Sequence, residues 1–354
     1  MIEITAEIRN IRYHPTLCRP LSEYEFSELD AALSRHASFF VTLDNANRIA
    51  ISRWVSPKRT RTYPYGRVYD TLQYSGKKVT IIPIFKDEGL YGDRDFLQWD
   101  TVSLMSLLGV YTIIGYYDRA QPNYRHPDKP KITKQRFNIE HIYDNLHQLL
   151  RYQSDALHWN LEQLNQVGHL GELALAANLA LSQKYTIPMH SYTTAVQKIE
   201  TLKRDADTFK QESRKIAASA ASRETNVINP HEKIAGTKGR ITITNYLGGE
   251  YHLTVDEVWF TDNDTLQLVE AKHTTHPHQL IASANDIKDA LVKMILFTNI
   301  ENIRILNRRY QHQAIMKLTA SNPFSPDLLA PSKQRLYQAL QEEARINGFQ
   351  IIHQ

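Results

Sequence analysis

Apolar residues along this chain fall into short runs bounded by turn residues and, in the middle, into helical spacings. The short runs predict strands at residues 39–43, 49–54, 79–85 and 110–117, with a short helix at 100–108 between the last two. From residue 138 to 184 the period becomes helical, with Ile139, Ile142, Leu146, Leu149 and Leu150 on one stripe. The run from Gly168 to Leu179 is apolar on every side, which predicts a buried helix, and Glu172 shares a face there with Leu175, Ala176 and Leu179. A carboxylate aimed inward needs a basic side chain or a metal, because burying it alone is costly. A salt-bridged helix start at Gly171 is the other reading of Glu172. Residues 194–224 are strongly charged and free of Pro and Gly, and Ala195, Ile199, Leu202, Ala206, Phe209, Ser213, Ile216 and Ala220 recur at three- and four-residue spacings. That seam fits a dimerisation arm, a helix lying along DNA, or a helix packed on the protein's own body.

Strand periodicity returns at 240–246 and in the stretch TVDEVWFTDNDTLQLVEAKH, residues 254–273. There the runs Val258-Trp259-Phe260 and Leu266-Gln267-Leu268-Val269 flank a polar turn, which predicts a β-hairpin. Residues two apart in a strand share a face, so Glu270 and Lys272 project together while Val269 and Ala271 pack behind them. Antiparallel pairing around the turn brings Asp256 to the same end of the hairpin. Two carboxylates and an ammonium so arranged suit phosphodiester hydrolysis, since Mg²⁺ takes few protein oxygens and keeps several waters. Ser283 and Asp286 then predict a capped helix over 286–297, with Ile287, Ala290, Leu291, Met294 and Ile295 on its apolar face. Strands at 303–306 and 314–318, a helix at 332–346 and a last strand at 349–353 complete the pattern.

Asp256 followed by Glu270-Ala271-Lys272 resembles the bipartite motif of the PD-(D/E)XK nuclease superfamily, although Val255 stands where that motif carries proline. The resemblance implies an α/β fold with a restriction-endonuclease-like mixed-sheet core flanked by helices. It implies Asp256 and Glu270 as Mg²⁺ ligands, Lys272 as the catalytic lysine, and Glu172 as an acid contributed by the first core helix. Glu257, on the opposite strand face, is a weaker candidate for the first acid. The expected organisation is an N-terminal α/β module at 1–135 that recognises or positions DNA, and a nuclease core at 136–354 interrupted by the helical insertion 194–224. The activity implied is Mg²⁺-dependent DNA endonuclease, most specifically a type II restriction endonuclease. A repair or structure-specific nuclease and a DNA-binding protein with a vestigial site are the alternatives.

Composition narrows the setting. At 354 residues the chain is long enough for two domains, and its formal net charge of +4 permits a polyanionic partner without demanding one. The single cysteine, Cys18, excludes an internal disulfide and a cysteine-based zinc site, as in a reducing cytoplasm. No apolar run approaches the roughly 18 residues of a membrane span, so a cytoplasmic protein is expected. In residues 53–69, Arg53, Lys58, Arg59, Arg61 and Arg67 interleave with Tyr63, Tyr65 and Tyr69, which makes this either the leading contact for double-stranded DNA or a solvated loop. The basic residues of 125–136 read as a linker. The acidic run 87–100 reads as a structural loop with Asp93 and Asp95 paired to arginines, a second metal site being the alternative. His273, His276 and His278 tempt a metal reading, but Pro277 and the lack of a helical i, i+4 pair argue against it.

Overall fold

The computed structural model describes residues 1–44, 47–58, 63–203, 237–244, 250–261, 265–274, 279–306 and 308–354. The chain is mixed α/β and divides into two compact units, Met1–Pro20 with Arg214–Gln354, and Leu21–Ser213. The division falls elsewhere than the expected boundary at 135/136, for two physical reasons. Ile142, Leu146, Leu149 and Trp159 share one core with Phe39, Val41, Ile51, Val79 and Ile113, so the helices after residue 138 belong with the N-terminal sheet. Conversely, the first strand of the chain pairs inside the C-terminal sheet.

The unit holding the predicted hairpin has strands β1 (Ile2–Glu7), β2 (Thr237–Thr244), β3 (Glu250–Phe260), β4 (Thr265–Thr274), β5 (Glu301–Ile305), β6 (Arg308–Arg309), β7 (Gln311–Ala320) and β8 (Gln350–His353). Its helices are α1 (Ala284–Asn299) and α2 (Pro331–Asn347). The strands form one mixed sheet in the order β6-β5-β1-β2-β3-β4-β7-β8. Pairing is parallel for β1 with β2, β4 with β7 and β7 with β8, and antiparallel along β2, β3 and β4. Alternation explains β1: Ile4 and Ala6, with Ile8 just beyond, are buried, while the alternate residues Glu3 and Thr5 are exposed. The Ser283 hydroxyl accepts the Asp286 amide at the start of α1, and the predicted face Ile287, Ala290, Leu291, Met294 and Ile295 is buried against β4 and β7. Burial of each large apolar side chain there contributes about 1.5–3 kcal/mol.

Residues 13–17 are tied to α2 through Glu343, which is fully buried. Its carboxylate accepts from the Tyr13 hydroxyl at 2.7 Å, from the Thr16 amide and hydroxyl at 2.9 Å each, and from the Leu17 amide at 3.1 Å. Four donors on one carboxylate offset its desolvation. Burial, together with the Glu343 charge, pushes the Tyr13 phenol well up.

In the other unit, a five-stranded sheet runs Ser22–Glu25, Ser38–Asp44, Asn47–Arg53, Lys78–Pro83, Tyr111–Gly115, with only the second and third antiparallel. Helices Ile139–Arg151, Ala156–Asn165 and Val167–Tyr185 follow, the first two capped by the Asn138 and Asp155 side chains. The expected long arm begins as helix Tyr192–Lys203, with Ala195 and Ile199 buried. Gly171 makes room for it: a Cβ there would lie 2.5 Å from Ile199 Cγ2. The described part of the arm therefore packs on its own unit, while residues 204–224 lie outside the described residues.

The stretch 125–136, read as a linker, instead enters a hairpin of Tyr117–Asn123 and Lys131–Phe137, anchored by the buried Ile132 and Phe137. The acidic run carries a second small hairpin, Phe85–Asp87 with Arg94–Phe96. Asp95 there accepts from the Ser56 hydroxyl at 2.6 Å, and Asp87 meets His190 Nδ1 at 2.8 Å. Among the described residues, no helix is long and apolar enough to cross a membrane.

Candidate active site

The predicted hairpin is β3 and β4, paired from Phe260↔Leu266 to Glu257↔Val269. Beyond that point the geometry departs from a regular ladder. Thr237 of β2 opposes Val258, but Gly239 opposes Val255, so Asp256 and Glu257 together face the single residue Lys238. This is a β-bulge, which bends the strand and re-aims its side chains. Gly239 has a steric role beside it, since a Cβ would lie 2.6 Å from Val258 Cγ2. On the other edge of β3, the Asp256 carboxylate accepts the Ala271 amide at 2.8 Å. A side chain thus takes a position that a backbone carbonyl would hold in an unbroken ladder, and it fixes the acid against β4.

Glu270 and Lys272 follow on the same face of β4. Glu270 is 1% exposed, and both of its oxygens are engaged. Lys272 Nζ lies 2.9 Å from Oε1, and Lys293 Nζ, from α1, donates to Oε2 at 2.7 Å. Lys293 also donates to the Thr254 carbonyl at 3.3 Å, and Lys272 lies 3.7 Å from Asp289 of α1. Asp256, Glu270, Lys272, Asp289 and Lys293 therefore form one coupled cluster where α1 covers the hairpin.

Burial and the Glu270 charge push the Asp256 carboxyl up to about 7, against the pull of the lysines. Burial acts to raise Glu270 as well, but Lys272 and Lys293 outweigh it and hold that carboxyl at about 2. Burial raises Asp289 too. Lys272 is driven up despite burial, chiefly by Glu270 and Asp289. An acid that resists ionisation beside one that is fully ionised is the electrostatic situation a divalent cation relieves. The donors are hard carboxylate oxygens, which fit Mg²⁺. Among the described residues no group of three or more His, Cys, Asp or Glu side chains could hold a metal ion, so an ion here would rest on Asp256, Glu270 and water.

A pH dependence follows. The raised Asp256 favours folding while it is protonated, fully so below its ordinary value of 3.8, and this contribution is lost as pH rises through about 7. Glu270 acts in the opposite sense, its contribution disappearing as pH falls from 4.5 toward about 2. Metal-free protein is expected to lose on the order of 2–3 kcal/mol between pH 5 and pH 8 through Asp256. Thermal melts in EDTA check this: Asp256→Asn should flatten that limb, and an unchanged slope in the variant would remove Asp256 as its source.

The other sequence candidates lie elsewhere. Glu257 is fully buried on the opposite face of the sheet, 2.7 Å from Lys317 and 3.0 Å from the Trp259 indole nitrogen, so it is a structural ion pair. Glu172 belongs to the other unit and is exposed, 55% for its side chain, with His169 Nδ1 at 4.0 Å. The expectation of an inward carboxylate fails because its helix is not enclosed on every side, Leu179 being 46% exposed. Of the basic segment, Arg53 Nε donates to the His36 carbonyl and Arg67 Nη1 to the Arg53 carbonyl, both at 2.9 Å. These two arginines brace the backbone, and Tyr65 and Tyr69 are buried. Lys58 is half-buried, while Arg59 and Arg61 lie outside the described residues. His273 bonds Thr319 Oγ1 at 2.8 Å, and His276 and His278 lie outside the described residues.

Two members of the cluster, Asp289 and Lys293, were missed in the sequence. The available signal was a charged pair four apart on α1, on the helix face flanking its apolar stripe. Compared with known protein families, with curated proteins and with solved structures, the chain has no match.

Proposed function

We propose that this chain is a Mg²⁺-dependent endodeoxyribonuclease of the PD-(D/E)XK type, most specifically a type II restriction endonuclease. The observation that carries the reading is the meeting of Asp256, Glu270 and Lys272 at a β-bulge, with Lys272 Nζ 2.9 Å from Glu270. The layout around it agrees with a restriction-endonuclease-like core, in which a mixed sheet carries the hairpin and α1 packs on it directly afterwards. Mg²⁺ held by Asp256 and Glu270 would supply a Lewis acid at the scissile phosphate. Lys272, oriented by Glu270, presents a fixed ammonium to the negative charge that develops on the phosphoryl oxygens and to the attacking water. Asp289 keeps that ammonium turned toward α1. Lys293 neutralises Glu270, and a cation held through the same oxygen would have to displace it.

One observation favours a second reading. Both oxygens of Glu270 are already satisfied by lysines, which is how a DNA-binding protein with a vestigial site would stabilise a leftover carboxylate. Incubation with plasmid and phage DNA, with and without Mg²⁺, separates the possibilities. Discrete fragments appearing only with Mg²⁺ are the expected result. A smear would indicate a nonspecific or repair nuclease. Retained DNA binding with no cleavage under any divalent ion would support the vestigial site and overturn the nuclease.

A further inference from the structure

One hairpin of this chain is strongly cationic. Residues 117–137 contain Arg119, Arg125, Lys129, Lys131, Lys134 and Arg136 against Asp118 and Asp128, a net +4. Some of the charge around it is internally balanced. Arg119 makes a two-pronged bond to Asp30 at 2.8 and 2.9 Å, and Lys86 pairs with Glu88 at 2.6 Å. What is left over is unpaired: among the described residues, no carboxylate lies within ion-pair distance of Arg125, Lys129, Lys131, Lys134 or Arg136. All of these except the half-buried Lys131 are exposed.

The hairpin is also shaped to present them. Thr133 opposes Gln121, but Arg136 opposes Arg119, so Lys134 and Gln135 bulge out against the single residue Ala120. Lys134 sits in the left-handed region at φ 47°, which a lysine adopts only against a steric cost. The two exposed cations of this bulge, Lys134 and Arg136, lie between two clefts. One, of about 280 Å³, is lined also by Asp30, Arg53, Lys86, Glu88 and Tyr117, and the other, of about 400 Å³, by Asp118, Arg119, Lys184 and Tyr185. A third, of about 180 Å³, lies at the hairpin tip among Asn123, Arg125, His126, Lys129 and Lys131. Beside the tip, Tyr124 is 53% exposed, its hydroxyl fixed on the Tyr185 carbonyl at 2.9 Å.

We infer that this hairpin is a surface of its unit that binds the sugar-phosphate backbone of duplex DNA. The cations follow the length of a ribbon, from Arg136 beside Arg119 to Arg125 and Lys129 at the tip, instead of converging on a point. At about 3.3 Å per residue, a seven-residue strand spans on the order of 20 Å, a length matched to several successive phosphates and not to a small anion. Bulged strain retained at an exposed lysine fits a position kept for contact rather than for stability. In naming DNA as the polyanion the inference rests on the proposed nuclease reading, but binding and cleavage are measured apart.

Fluorescence anisotropy with a labelled DNA duplex, in EDTA over a range of salt concentrations, tests it in the full-length chain. Two double variants are used, Lys134→Gly with Arg136→Gln, and Arg125→Gln with Lys129→Gln. Each is expected to weaken binding about 10- to 100-fold at low salt and to reduce the slope of log Kd against log salt by about two. Lys134→Gly alone should hold or raise the melting temperature while weakening binding, because glycine accepts the left-handed backbone. Wild-type affinity and slope in both double variants would overturn the inference whether or not the protein cleaves DNA. Loss of binding in variants of a protein that never cleaves would support the hairpin and sink the nuclease. Binding of duplex RNA but not duplex DNA would overturn the assignment of the partner.

Discussion

Lys272→Ala is expected to lower Mg²⁺-dependent cleavage by on the order of 10²–10³-fold or more, while duplex binding in EDTA stays close to wild type. On the proposed reading the size follows from what is removed: a preorganised ammonium, 2.9 Å from a buried carboxylate, whose charge would act at the reacting phosphate rather than on the DNA at large. Asp256→Asn and Glu270→Gln should reach a similar floor, because each deletes half of a two-carboxylate site. Their effects combined with Lys272→Ala should be far from additive, as is usual for groups that act as a unit. Lys293→Ala provides the informative contrast. It frees one Glu270 oxygen, so the variant should bind Mg²⁺ at least as tightly as wild type, and melting-temperature shifts with added Mg²⁺ report this directly. A Lys272→Ala protein that cleaves at the wild-type rate would rule out the catalytic assignment.

The second large effect concerns stability. Glu257→Ala leaves the Lys317 ammonium unpaired under a sheet face where it is 1% exposed. A loss of about 3–5 kcal/mol is expected, chiefly the cost of an uncompensated buried charge. At about 2–4 °C per kcal/mol for a unit of this size, the melting temperature should fall by roughly 6–20 °C. Joint replacement, Glu257→Met with Lys317→Met, should recover most of it, since the pair is offset by its own desolvation. Failure of the double variant to recover would mean that the Trp259 indole, which donates to Glu257 and lies 5.7 Å by its ring from the Lys317 ammonium, anchors more of this face than the ion pair does.

Local signals carried far in this chain and non-local ones did not. Alternation and turn residues located β3, β4 and α1, and the face-sharing of Glu270 and Lys272 needed only the two-residue period. The hairpin pairing also brought Asp256 to the same end, but the bulge beside Gly239 and the hold of the Ala271 amide on its carboxylate required tertiary information. The alternation of Ile2, Ile4, Ala6 and Ile8 is not among the expected strands, and nothing nearby discloses that its partners are Gly239 to Thr244. Glu172 illustrates the opposite error. An alanine- and leucine-rich helix looks enclosed on every side, but apolar residues at protein surfaces are common, and Leu179 is one of them. The basic stretch 125–136 reads as a linker because prolines and lysines suggest a tether, while its pairing in a hairpin rests on two buried anchors, Ile132 and Phe137.

The position of β1 has a consequence for biosynthesis. Ile2 to Glu7 leave the ribosome well before the strand they join in parallel, Gly239 to Thr244, which emerges only after the whole intervening unit has been translated. At roughly 5–20 residues per second this delay is on the order of ten seconds or more. Throughout that interval an apolar β-ribbon edge is presented with no mate, a stretch that nascent-chain chaperones would be expected to shelter, while the sheet of the intervening unit meets all its partners first.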